Sequence, residues 1–258
     1  MKRVDDYFDG WPVAKITTDA ARDFAQKLLA DGCANGTVNR SLACLRRMLN
    51  IAMEDGKIRV VPKIRFLKAG QARKGFLERD KFEALLAQLP SHLKPLVTFL
   101  YYCGVRLGEA LQITWQQVDL DAALVRLESD QTKTAEARTI PLPDILVGML
   151  KMQERGETVF DGTNLRKAWH RACVAAGLGT LTEVKDKDPV YSGLIVHDLR
   201  RSAIRNLIRA GVRETVAMAI SGHRTRSVFD RYNIVSTEDI AAAMKQVQGQ
   251  KRLTVKTG

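Results

Sequence analysis

Residues 194–232 read LIVHDLRRSAIRNLIRAGVRETVAMAISGHRTRSVFDRY. The apolar spacing predicts helices over His197 to Ala210, Glu214 to Ser221 and Ser227 to Asn233, with turns at Gly211 and Gly222. The block holds eight Arg, no Lys and three acids. Arg presents a fork that engages phosphate oxygens in bidentate fashion. His197 and Arg200 stand three apart and share a helix face. His223 follows a glycine just past the second helix, and Tyr232 lies nine residues further on. A phenol, two imidazoles and a guanidinium converge if these helices pack as a bundle.

Outward from this block the chain stays mostly helical. Glu78 to Leu89 has helical spacing through Phe82, Leu85, Leu86 and Leu89, and Ser91 to Tyr102 is a strongly apolar helix. Arg106 opens a short helix, Leu107 to Ile113. Two alternating strands, Ala123 to Leu127 and Arg138 to Leu142, flank a polar turn holding Lys133 and read as a hairpin. Helices are expected at Asp144 to Glu154, Asn164 to Ala176 and Asp239 to Val247, with a loop over Gly177 to Gly193. Near the N-terminus Thr17 and Thr18 can cap a helix running to Ala30. A second helix from about Thr37 carries one apolar stripe: Val38, Leu42, Leu45, Leu49 and Ala52. From Val60 to Gly75 the helical pattern is lost and the chain reads as a linker. The expected fold is mainly α with a small antiparallel β-sheet. It divides into a helical region at 1–66, a basic linker at 67–75 and an α+β domain at 76–258.

The 258 residues are 45% hydrophobic, enough for a sizeable core and one or two domains. A disordered chain is poorer in apolar residues, and a disulfide scaffold is shorter and richer in cysteine. The longest apolar run, Leu96 to Val105, is half of what a membrane span needs. Cys33, Cys44, Cys103 and Cys173 lie far apart, with no CxxC spacing and no His at metal-ligand distance, so no metal is expected. Met1 to Gly10 has no apolar stretch, which argues against a signal peptide and for a cytoplasmic protein. The net charge is +12 and the isoelectric point about 9.7, the footprint of a nucleic-acid binder. Nine Lys or Arg against two acids fall between residues 41 and 75. Arg40, Arg46, Arg47, Lys63, Arg65, Arg73 and Lys74 are the candidates to contact a DNA backbone.

Four segments resemble the tyrosine recombinases, the phage-integrase family of site-specific DNA recombinases. Cys103-Gly104-Val105-Arg106-Leu107-Gly108-Glu109-Ala110 is similar to the segment of the family's first catalytic arginine. Thr132-Lys133-Thr134 with Arg138-Thr139-Ile140-Pro141-Leu142 resembles its hairpin lysine segment. His197-Asp198-Leu199-Arg200-Arg201 resembles the His-x-x-Arg box, and Ser221-Gly222-His223 with Tyr232 the final Gly-His to Tyr segment. The likeness runs over about Phe76 to Ala243 and extends more weakly to the N-terminal helices, which resemble a core-binding domain. Members have another helix before a segment like Lys15-Ile16-Thr17, so here that helix is expected to be shortened or missing.

The resemblance implies phosphoryl transfer through Tyr232, which forms a 3′-phosphotyrosine and releases a 5′-hydroxyl without metal, ATP or other cofactor. Arg106 and Arg200 would bind the non-bridging oxygens. His197 would take the phenol proton, Lys133 would protonate the leaving oxygen, His223 would donate to a phosphate oxygen, and Glu109 would orient the site. The implied partner is double-stranded DNA, with a tetramer at synapsis and the C-terminal helix docked on a neighbouring protomer. Two alternatives stand at this point. A type IB topoisomerase shares the chemistry, and a non-catalytic DNA-binding protein could use the helix–Gly211–helix segment as a helix-turn-helix. A metal-dependent nuclease would have to use Asp119 and Asp121.

Overall fold

The structure is a computed structural model that describes residues 2–68, 70, 75–128, 137–184, 187–230, 232, 240–241 and 244–245. The chain divides into two compact units, residues 1–73 and 74–258. The first unit is helical: α1 Lys2–Phe8, α2 Thr18–Ala30 and α3 Asn35–Glu54. Thr17 caps α2, its hydroxyl accepting from the Ala20 amide at 3.2 Å. The α3 stripe is the expected one, with Val38, Leu42, Leu45, Leu49 and Ala52 all buried. Ahead of Lys15-Ile16-Thr17 stands α1, a short helix of seven residues. Val4 and Phe8, four apart, bury one face of it, and the Phe8 ring lies 5.4 Å from that of Phe24. The first part of the presumed linker also belongs to this core, because Ile58, Val61, Ile64 and Leu67 pack against it. The Asn39 amide holds the Leu67 backbone at both ends, donating to its carbonyl and accepting from its N–H at 2.8 Å each. Arg40, Arg46, Arg47, Lys63 and Arg65 are exposed, while Arg73 and Lys74 lie outside the described residues.

The second unit contains α4 Arg79–Gln88, α5 Lys94–Cys103, α6 Leu107–Ala110, then β1 Val118–Asp119, β2 Leu124–Leu127 and β3 Arg138–Pro141. Next come α7 Asp144–Lys151, α8 Leu165–Ala175, β4 Gly179–Val184, β5 Lys187–Gly193, α9 Asp198–Arg209, α10 Glu214–Ser221 and α11 Arg226–Phe229. Helix α5 is buried along most of its length and forms the centre of the core, and α9 packs against it. Strands β1, β2 and β3 form one antiparallel sheet, with Val125 opposite Ile140, both fully buried. The expected loop at Gly177 to Gly193 is a hairpin of β4 and β5. Both faces of β4 are largely exposed, so its residues carry no period-two apolar signal. The hairpin's end is fastened at the Leu194 carbonyl, which accepts from Trp169 Nε1 and the Tyr191 hydroxyl, each at 2.8 Å. That anchor stands three residues before His197. Asp119 lies in β1 and accepts from the Ala122 amide at 2.9 Å, which accounts for it as a turn residue. Among the described residues no helix is long and apolar enough to cross a membrane. Most of the expected Asp239 to Val247 helix lies outside the described residues.

Candidate active site

Two glycines aim the site. Helix α5 ends at Gly104, φ +63°, and α10 ends at Gly222, φ +70°. Both are left-handed C-caps, a conformation that a side chain opposes. A Cβ on Gly104 would stand 3.0 Å from that of Ala203 on α9, so α5 and α9 approach closely there. From Gly104 the chain turns into Arg106, the N-cap residue of α6, and from Gly222 it turns into His223.

Between these two turns lies Arg200, only 3% exposed. Its Nη1 donates to the carbonyls of Gly104 and Ser221, the latter at 2.7 Å, and its Nη2 to Nε2 of His223 at 2.9 Å. Burial, followed by the charge of Arg106, brings its pKa down to about 10, and it stays a cation at neutral pH. Arg106 is more open, with 30% of its side chain exposed. Its Nη1 donates to Glu109 Oε1 at 2.7 Å and its Nη2 to the Gly222 carbonyl at 3.4 Å. Burial pushes the Glu109 carboxyl upward, but Arg106 and Arg138 outweigh it and hold the group below its ordinary range.

His197 and Tyr232 meet at the rim. The imidazole Nε2 lies 3.0 Å from the phenol oxygen. Desolvation first, then the charges of Arg200 and Arg201, lower the His197 pKa, so its ring is neutral and basic at pH 7. The guanidinium carbons of Arg200 and Arg201 stand 5.7 and 5.5 Å from the Tyr232 ring centre. His223 is 6% exposed, and burial together with Arg200, Arg106 and Arg138 pushes its pKa down to about 3. Arg200 Nη2 lies 2.9 Å from Nε2 and 3.1 Å from Nδ1, and a guanidinium can only donate, so the neutral ring meets it as an acceptor. Nδ1 also lies 2.8 Å from the Ser221 hydroxyl, which itself donates to the Ala217 carbonyl at 2.7 Å. Both ring nitrogens thus have protein partners in this arrangement.

Arg106, Glu109, His197, Arg200, His223 and Tyr232 thus converge, while Lys133 lies outside the described residues. Most other arginines of 194–232 are turned to protein carboxylates. Arg201 pairs with buried Asp198, Arg205 and Arg209 with Glu78, and Arg226 with Glu214. The sequence reading missed Arg138, whose Nη2 donates to Glu109 Oε2 at 2.6 Å. A signal was present, because Arg138 is two residues before buried Ile140 on β3 and shares its inward face.

Residues 75–239 match the profile of the "Phage integrase family". A tyrosine recombinase of Thermosipho africanus is 26% identical over 219 residues, covering 82% of this chain and 76% of the relative. The ICEBs1 integrase of Bacillus subtilis is 23% identical over 239 residues, and the match spans 81% of this chain but only 64% of that relative. Among solved structures, a lambda integrase dimer bound to a COC′ core site superposes with a TM-score of 0.72 at 19% identity, over 90% of this chain and 85% of that one.

Proposed function

Because the chain belongs to the phage integrase family of DNA strand-transferring enzymes, we propose that it cuts and rejoins DNA at a specific site through Tyr232. The phenol oxygen forms a bond to the scissile phosphorus while the bond to the 5′-oxygen breaks. The phenol proton passes to His197 Nε2, and Lys133 supplies a proton to the leaving oxygen. Arg106 and Arg200 hold the non-bridging oxygens, where the transition state carries an added negative charge. His223 aims Arg200 by accepting from its Nη2. The phosphodiester energy is kept in the 3′-phosphotyrosine, so a 5′-hydroxyl from another duplex can reverse the step on a new partner without ATP.

The observation that carries this reading is the 3.0 Å contact of His197 with Tyr232 beside a buried, protein-clamped Arg200. A phenol of pKa about 10 needs such a base at neutral pH. The partner is double-stranded DNA, and synapsis joins four protomers. Ile240 and Met244, 59% and 56% exposed, support a C-terminal segment that docks on a neighbouring protomer. Footprinting on the DNA flanking the gene supplies the site. A nicked duplex of that site should form a covalent adduct with the wild type and none with Tyr232→Phe. An adduct on the Phe variant removes Tyr232 as nucleophile, and sequence-indifferent relaxation of supercoiled plasmid replaces recombination with topoisomerase activity.

A further inference from the structure

Arg138 connects the three segments that carry the site. It stands at the start of β3, five residues after Lys133, and its side chain is 9% exposed. Its Nη2 is bonded to one oxygen of Glu109, whose other oxygen holds Arg106. Its Nη1 and Nε are buried without a hydrogen-bond partner among the described residues. Nη1 fills the space in front of Gly222, lying 1.5 Å from where a Cβ would be placed there. With Nη1 and Nε buried and 9% of the side chain exposed, this guanidinium is turned to protein rather than offered to a phosphate.

Its consequence lies in the charge count. Arg106 and Arg200 are the cations that face the reacting phosphate in the reading above, and Glu109 bonds to one of them. A buried carboxylate at 2.7 Å from Arg106 cancels much of the field that Arg106 projects. A second guanidinium on the far oxygen of that carboxylate removes the cancellation. With His223 neutral, the cluster keeps two net positive charges, matching the two negative charges of a phosphodiester at its transition state.

We propose that Arg138 is a positioning residue that neutralises Glu109, so that Arg106 meets the phosphate with its full charge and in a fixed orientation. This rests on the strand-transfer reading above. It predicts an effect on the chemical step and not on DNA affinity, because the Arg138 guanidinium is turned to protein. It also predicts that removing Glu109's charge compensates for removing Arg138's.

The test is single-turnover adduct formation on a saturating nicked duplex of the footprinted site, with affinity measured in parallel. Wild type and Tyr232→Phe report on the strand-transfer reading by itself. Removing one preorganised charge donor typically costs 10²–10³ in rate, so Arg138→Met, one contact removed from the phosphate, is expected to lose about 30-fold or more. Arg138→Lys is expected to retain most of the rate, and Arg138→Met with Glu109→Gln to recover at least about tenfold over Arg138→Met alone, given that contacting residues couple. Affinity should stay within about twofold throughout. Three results overturn the proposal: wild-type rates in Arg138→Met, losses of rate and affinity in parallel, or a double variant slower than Arg138→Met. If Arg138→Met does not fold by its melting curve, Arg138→Gln takes its place under the same criteria. Failure of both to fold overturns it too, since the residue would then be a purely structural support.

Discussion

Replacing Gly222 with Ala tests the geometry at the point where the helix cap, the Arg138–Glu109 ion pair and His223 meet. Gly211 supplies an internal control. Both glycines end a helix in the left-handed region, at φ +70° and +76°, but a Cβ on Gly211 meets nothing within 4 Å. Both substitutions therefore carry the same backbone penalty of about 1–2 kcal/mol. At Gly222 the new Cβ also falls on Arg138 Nη1, at 1.5 Å, and the guanidinium has to leave. A long side chain could swing away cheaply at a surface. This one is enclosed, and moving it breaks the 2.6 Å bond to Glu109 and leaves a buried carboxylate oxygen unpaired. An orphaned buried acceptor costs about 1–3 kcal/mol, which sets the expected excess of Gly222→Ala over Gly211→Ala. For a unit of this size each kcal/mol moves the midpoint by about 2–4 °C. Thermal melting of the full-length variants, followed by circular dichroism, reads the difference directly. Single-turnover cleavage should also fall in Gly222→Ala and hold in Gly211→Ala. Equal melting midpoints for the two variants would refute the placement of Arg138 against Gly222.

The remaining expectations concern the two histidines and the basic surface of the first unit. Desolvation, then the charges of Arg200 and Arg201, lower the His197 pKa below its ordinary value. Adduct formation should be flat through neutrality and decline only below the ordinary imidazole value of about 6.5; a decline beginning above that value contradicts it. His223 is held neutral, with its folded pKa near 3 below the unfolded one, so the unfolded chain binds the extra proton as pH falls. Its contribution to stability is complete above about pH 6.5 and is lost progressively toward pH 3, and His223→Asn should melt with a shallower pH dependence over that window. An unchanged slope would mean that the ring is not held neutral. On the first unit, Arg47 is paired with Glu54 at 3.4 Å, while Arg46 has no ion pair among the described residues. Arg46→Ala should therefore weaken DNA binding more than Arg47→Ala and lower the log–log salt slope by about 0.9 if it contacts one phosphate. Equal effects would assign the pair to diffuse field rather than to contact.

What the sequence exposes is what repeats. The α3 stripe is visible because five apolar residues recur at helical spacing, and all five are buried. The strands β2 and β3 alternate over one buried face and are equally visible. The β4–β5 hairpin is hidden because both of its faces meet water over much of its length, so packing imposes no alternation. Helix α1 is hidden for a different reason: seven residues offer only Val4 and Phe8 as a buried pair, too few for a period. Within the site, residues whose chemistry is rare in a core drew attention, and Tyr232, His197 and Arg200 meet as their spacing suggested. Arg138 is hard to single out because a lone arginine in a strand resembles a solvent-facing residue, although it shares the face of buried Ile140. Nothing in Gly-His reveals that burial and the charges of Arg200, Arg106 and Arg138 hold the His223 ring neutral.

In the proposed strand transfer, the arrangement of charge favours a phosphoryl group over anions in general. Burying Arg200 to 3% exposure is unfavourable without hydrogen-bond partners, and two backbone carbonyls and an imidazole take three of its five N–H groups before any substrate arrives. Those acceptors are neutral, so the hydrogen bonds hold the guanidinium without consuming its charge. Glu109 is the exception, and the placement of Arg138 opposite Arg106 answers it. The close approach of α5 and α9 at Gly104 and Ala203 fixes the carbonyl that Arg200 uses, so core packing, not the substrate, sets the cation's position. A site built this way needs little reorganisation when a bridging oxygen begins to leave, and its excess positive charge is best satisfied where the phosphorus carries the most negative charge. That is the difference between a surface that binds DNA and one that opens its backbone. Discharging Arg46 should therefore alter how tightly DNA is held, whereas discharging Arg200 should alter whether the held strand is cut.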